Sequence, residues 1–133
     1  MSQFSTNKVF TDSAVNAMID KIYFELNRGL PAVNLNNSIC LTGRAAAILQ
    51  GAAATPCDNI IFVVNHAELY EFVQYMLPKS ITHQGVLKFK ERTIIYVNAA
   101  IIEVWFDASA KVAKSPVNGV YVQTINEINP ILL

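Results

Sequence analysis

Residues 41–64 read LTGRAAAILQGAAATPCDNIIFVV, and their order of local preferences decides the fold class. The run Asn59–Val64 has strand length, is rich in β-branched and aromatic residues, and shows no polar alternation. That pattern suits a strand covered on both faces. The stretch "SICLTG" reads as a short buried strand ending at Gly43. "RAAAILQGAAA" follows, an alanine-rich segment that favours a short helix. Its small side chains would let that helix lie close against a sheet. A strand, a glycine corner, a helix and a second strand are therefore expected in about two dozen residues.

Outward from this stretch, periodicity supplies the other elements. Towards the N-terminus, Val15, Met18, Ile19, Ile22, Tyr23 and Leu26 recur at helical spacing. Thr11, Asp12 and Ser13 offer N-cap oxygens, while Gly29 and Pro31 stop that helix. Towards the C-terminus, "HAELYEFVQYML" predicts a second amphipathic helix, with Leu69, Phe72, Val73, Met76 and Leu77 on one side and Pro78 as its stop. "GVLKFK", "TIIYVN" and "AIIEVWFD" then read as three antiparallel strands joined by short polar turns. "GVYVQT" is a last short strand, and "INEINPILL" holds at most one helical turn before Pro130. The expectation is one α/β (α+β) domain over residues 1–133, with a mixed, mostly antiparallel sheet flanked by helices.

Composition bounds the function. Of 133 residues, 53% are hydrophobic and 15% charged, so either the sheet is covered on both faces or apolar surface is buried against another subunit. Ten basic residues balance ten acidic ones, which argues against an electrostatically driven nucleic-acid binder. Zero net charge also favours self-association, so a homo-oligomer or a protein partner is expected. Cys40 and Cys57 are too few for a metal site and read as reduced thiols. No secretion signal opens the sequence and its apolar runs are too short to span a bilayer, so a cytoplasmic protein without membrane contact is expected.

The residues that could carry chemistry are few. At Gly43 a helix N-terminus would present free amides to an anion, and Arg44 would add positive charge. No Walker loop follows, and the glycine spacing fails the dinucleotide fingerprint. Asp58 stands alone at the entry to the Asn59–Val64 strand. On the later strand, Ile101, Glu103 and Trp105 share one face. An acid among apolar neighbours is costly unless it sits at an edge, pairs with a base or lines a cleft, and the cleft is the preferred place for Glu103. Asp107 reads as a turn residue at the strand end. Asn65 or His66 caps the next helix, and His83 sits in a solvated turn.

Read together, these residues resemble the opening signature of the nucleotidyltransferase-fold superfamily, particularly its minimal, antitoxin-like bacterial members. That signature runs strand, Gly-Gly or Gly-Ser, a short helix of small residues, a glycine, a threonine, then Asp-x-Asp leading into a strand. Gly43, Gly51 and Thr55 match its positions, Ala46 sits at a small-residue position, and Arg44 replaces the second glycine or serine. The resemblance extends over roughly residues 35–130. It implies Mg²⁺ held by carboxylates on adjacent strands. Counted without a gap from Thr55, however, the acid positions fall on Cys57 and Asn59; with one residue inserted they fall on Asn59 and Ile61. Neither register supplies a pair of carboxylates, and cysteine with asparagine suits hard Mg²⁺ poorly.

Three functions are therefore compatible with the sequence. The first is a degenerate nucleotidyltransferase-like protein, without cofactor, that binds a nucleotide at Gly43 and Arg44 or a protein partner. The second is a structural or assembly protein of mobile-element or phage origin without a ligand. The third is an active enzyme that uses Asp58 and Glu103 with Mg²⁺.

Overall fold

The inner face of the sheet explains most of the sequence pattern. In the computed structural model, which describes residues 14–51, 59–98, 100–112, 116–117 and 120–132, the apolar runs pair into five strands. In chain order these are β1 (Ile39–Thr42), β2 (Asn59–Val64), β3 (Gly85–Lys88), β4 (Arg92–Tyr96) and β5 (Ile101–Phe106), arranged β1-β2-β5-β4-β3. β2 and β5 run parallel, and the other neighbours are antiparallel. The register places Ile60, Phe62 and Val64 beside Ile102, Val104 and Phe106. Ile39, Leu41, Thr93 and Ile95 continue the same face across β1 and β4. All of these except Phe106 are buried. The expected α/β class, with its mixed and mostly antiparallel sheet, is what the chain adopts.

Helices α1 (Ala14–Gly29) and α3 (Ala67–Tyr75) supply the apolar stripes that join this core. Ile19, Ile22 and Leu26 of α1 are fully enclosed, and the Tyr23 ring meets Phe62 edge-on at 5.9 Å between centroids. Burial pushes the Tyr23 hydroxyl far above the usual phenol range, and the Cys40 thiol and the Tyr121 hydroxyl act in the same direction. Gly29 is the last residue of α1, and its missing side chain has a steric role. A Cβ there would stand 2.3 Å from the Phe72 ring, so any larger residue at this end of α1 would have to push that ring aside.

The α3 stripe differs from the expected one in two places. Leu69, Val73 and Leu77 are buried, but Met76 is 48% exposed. The α-helix ends at Tyr75, and a 3-10 turn (Leu77–Lys79) containing Pro78 changes the phase. Tyr70 takes the extra place in the core. Its hydroxyl accepts from Thr93 at 3.1 Å and donates to the Phe89 carbonyl at 3.2 Å, and its ring stacks on Phe106. Burial raises its pKa, and the Thr93 bond opposes that shift. His66 caps α3 as expected, its Nδ1 accepting from the Leu69 amide at 3.3 Å. His83 is half-buried with its Nδ1 enclosed and unpartnered among the described residues, not solvated as its turn context predicts.

The C-terminal part closes the other edge. β6 (Pro116–Val117) and β7 (Val120–Tyr121) form a small hairpin. Val122 continues beside Leu41 in a parallel bridge, and the Gln123 amide donates to the Leu41 carbonyl at 2.8 Å. Two 3-10 turns follow: Ile125–Glu127, the one turn expected before Pro130, and Pro130–Leu132, which Pro130 opens. The N-cap candidates Thr11, Asp12 and Ser13 lie outside the described residues. No described helix is long and apolar enough to cross a membrane.

On α1, Glu25 is nearly enclosed yet bonds Arg28 at 2.5 Å and Lys21 at 3.0 Å. Those two bonds hold its carboxyl below the usual range. A depressed native pKa stabilises the fold above the unfolded value, and that contribution is lost as pH falls through the native one. Glu25→Gln should therefore lower the urea midpoint at neutral pH. Its difference from the parent should shrink below about pH 4 and vanish once both pKa values are passed. Urea melts at several pH values check this.

Candidate functional site

The sequence-derived candidates map onto the outer sheet face, where the register brings some of them together. Thr42 lies opposite Ile61, and Ile61 lies opposite Glu103. At a strand spacing of about 4.8 Å this puts the end of β1 roughly 10 Å from Glu103. Gly43 opens helix α2 (Gly43–Leu49) with φ +72, a left-handed conformation that glycine adopts without penalty. Arg44 is exposed on the first turn of α2. Gly43, Asn59, Ile61 and Glu103 thus lie along one path across three strands. Thr55, Cys57 and Asp58 lie outside the described residues.

Two features limit the chemistry of this path. First, Glu103 lines neither the cleft at Thr42, Val63 and Trp105 nor the smaller one at Phe89, Arg92 and Trp105. It pairs with Arg92 at 3.8 Å, its side chain 17% exposed, and the Arg92 guanidinium sits 5.2 Å from the centre of the Trp105 ring. The position flanked by apolar residues is thus satisfied by a base on the neighbouring strand. Second, Asn59 is exposed at the start of β2 and Ile61 is buried against Gly43. Among the described residues no group of three or more histidine, cysteine or acidic side chains stands together. Among the described residues, an amide, an isoleucine and a carboxylate 3.8 Å from an arginine make a poor ligand set for Mg²⁺.

The Gly43 corner is also partly roofed. Thr42 occupies the N-cap position of α2 but makes no side-chain cap. Its hydroxyl instead donates to Gln123 Oε1 at 2.6 Å inside the protein. Gln50 ties the far end of α2 to the same segment, donating to the Gln123 carbonyl at 2.7 Å and accepting from the Ile125 amide at 3.1 Å. The Leu132 carbonyl comes to 3.2 Å from the place a Gly43 Cβ would occupy. An anion at this corner therefore competes with the turn Pro130–Leu132 for space.

A separate cleft of about 590 Å³ opens where β2 and β5 end. Val63 and Trp105 form part of its wall on the sheet, with Gln123 and Leu132 opposite. Lys90, Glu91, Asp107 and Glu127 also line it. Asp107 is held in a turn, its Oδ1 accepting from the Ser109 amide and hydroxyl at 3.0 and 2.8 Å, as its position at a strand end predicts. Glu127 meets Lys111 at 3.8 Å. Neither Gly43, Arg44 nor Glu103 belongs to this cleft. Nothing in the sequence signalled it, because its wall joins residues more than eighty positions apart.

Beyond the cleft the outer face carries exposed apolar residues on β3, β4 and β5, with Ile94 buried between them. Leu87, Tyr96 and Ile101 are 46, 38 and 36% exposed there, whereas Ile61 and Val63 over β2 are buried. No protein-family model matches the chain, and neither a curated protein nor a solved structure matches it.

Gly43→Ala should cost about 1–2 kcal/mol for the left-handed backbone and more for pressing Ile61 and Leu132 aside. Gly51, at φ +101, has nothing within 4 Å of its notional Cβ among the described residues, so Gly51→Ala should bear mainly the backbone cost. Paired urea melts check that Gly43→Ala is the more destabilised of the two.

Proposed function

We propose that the chain is a nucleotidyltransferase-like domain that works by binding a nucleotide or a protein partner rather than by transferring nucleotides. What carries the reading is the row Thr42–Ile61–Glu103. The strand–glycine–helix corner and the two neighbouring strands follow the order the resemblance implies. Yet isoleucine stands at an acid position of one alignment, asparagine at an acid position of both, and Glu103 faces Arg92 at 3.8 Å. Metal-dependent transfer needs carboxylates that are free to clamp a cation.

The discriminating experiment is thermal melting with ATP or CTP, each with and without Mg²⁺ or Mn²⁺. At ten times Kd a nucleotide stabilises by about 1.4 kcal/mol, a shift of a few degrees in a domain of this size. The expected shift is independent of metal and lost in Arg44→Ala. A metal-dependent shift abolished by Asp58→Ala and by Glu103→Ala would restore the enzyme reading.

An assembly role is favoured by one observation, the exposed apolar strip of Leu87, Tyr96 and Ile101. Light scattering tests it: a dimer that Leu87→Lys dissociates supports it, and a monomer at high concentration removes it.

A further inference from the structure

Strand β3 ends the sheet on one side, and it lacks the features that normally keep such an edge solitary. A strand edge offers unpaired amides and carbonyls, and proteins guard it with charge, proline, a bulge or a covering segment. Among the described residues no strand pairs with the outer side of β3. Its sequence, GVLK, holds no proline, and its register with β4 is unbroken from Gly85 to Lys88. The lysine, the usual guard, is drawn onto α3 instead, its Nζ 4.5 Å from the centre of the Tyr75 ring.

The ladder decides which groups this edge presents. The Phe89 amide donates to the Arg92 carbonyl at 2.8 Å, so Leu87 and Gly85 also turn their amides and carbonyls towards β4. Val86 and Lys88 therefore point theirs away from the sheet. Side chains alternate with the same period, and Gly85, Leu87 and Phe89 share the outer face. Leu87 and Phe89 are 46 and 49% exposed, whereas a Cβ on Gly85 would meet nothing within 4 Å among the described residues. Along one face the edge thus carries an empty place, a leucine and an aromatic ring at equal steps.

We propose that two copies of this chain join through β3, antiparallel about a two-fold axis at Leu87, into one continuous sheet. Val86 and Lys88 of each copy exchange amide–carbonyl bonds with Lys88 and Val86 of the other. Leu87 packs on Leu87 of the partner subunit as a closely spaced, non-hydrogen-bonded pair. Phe89 comes opposite Gly85 of the partner subunit, and its ring covers the empty place there, as aromatic residues do across from strand glycines. Charge and shape select this register over its neighbours. A pairing centred on Lys88 sets two lysines directly opposite each other, which destabilises. One centred on Val86 parts Leu87 from its copy and Phe89 from the glycine. The zero net charge of the chain leaves no overall repulsion between copies. This pairing rests on the assembly reading given above and fixes its geometry; it is independent of nucleotide binding.

Sedimentation of the full chain from about 1 μM to about 1 mM, the range of weak to moderate association, should show a monomer–dimer equilibrium. Lys88→Pro removes an amide that faces away from β4, so the sheet keeps its own ladder while the partner loses a donor. It should weaken dimerisation at least about tenfold and leave the circular-dichroism spectrum unchanged. Leu87→Cys places two thiols within disulfide reach across the two-fold axis, and mild oxidation should give a covalent dimer. Tyr96→Cys, one strand further from the axis, should not, and the parent chain controls for Cys40 and Cys57. If Lys88→Pro loses the native spectrum, the two cysteine variants decide. The proposal is overturned by a parent that stays monomeric, by a folded Lys88→Pro variant that dimerises as the parent does, or by cross-linking no greater at Leu87→Cys than at Tyr96→Cys. A monomer removes the assembly reading as well. A dimer that survives Lys88→Pro and does not cross-link at Leu87→Cys keeps that reading and overturns only the β3 pairing.

Discussion

The parallel pairing of β2 with β5 is the constraint on which everything else rests. Six consecutive residue pairs, Asn59 with Ile101 through Val64 with Phe106, fix which side chains face the helices and which face outwards. A slip of one residue would either turn Ile60, Phe62 and Val64 of β2 to the outer face or carry Glu103 of β5 into the core. Burying that carboxylate away from Arg92 would cost several kcal/mol. Hydrophobic burial on one face and charge pairing on the other therefore select the same register.

This constraint also accounts for the two unequal halves of the outer face. Over β1 and β2 the chain returns as the segment Val122–Leu132, which meets Leu41, Thr42 and Gly43, and Cys40, Thr42 and Ile61 are buried. The polar groups taken inside are paired: Thr42 with Gln123, and Gln123 with the Lys111 carbonyl at 3.2 Å. Such pairing is required, because an enclosed hydroxyl or amide left without a partner costs about 1–3 kcal/mol. Over β3 and β4 the residues Leu87 and Tyr96 stay exposed. Any ligand or partner meets one half as a shaped cleft and the other as a surface.

The sequence made the strands and helices legible because their signals are local. The apolar run of β2, the stripe of α1 and the three-strand series each carry their own periodicity. The glycine corner was equally readable, since a left-handed backbone restricts the residue type. Features that depend on distant partners were not. Glu103 looked like a cleft acid because Arg92 belongs to a strand whose pairing cannot be read from spacing. Met76 fitted the helical stripe until Pro78 changed the phase. The cleft and the Thr42–Gln123 bond join residues 81 positions apart, beyond the reach of any window.

The bridge from Val122 to Leu41 has a consequence for how copies of this chain could join. With Val122 and Gln123 laid along β1, that side of the sheet already has a covering strand. Among the described residues, the outer side of β3 is the opposite edge of the sheet. An antiparallel β3–β3 pairing of two copies would use that edge in both, leaving neither a β3 edge for a further strand.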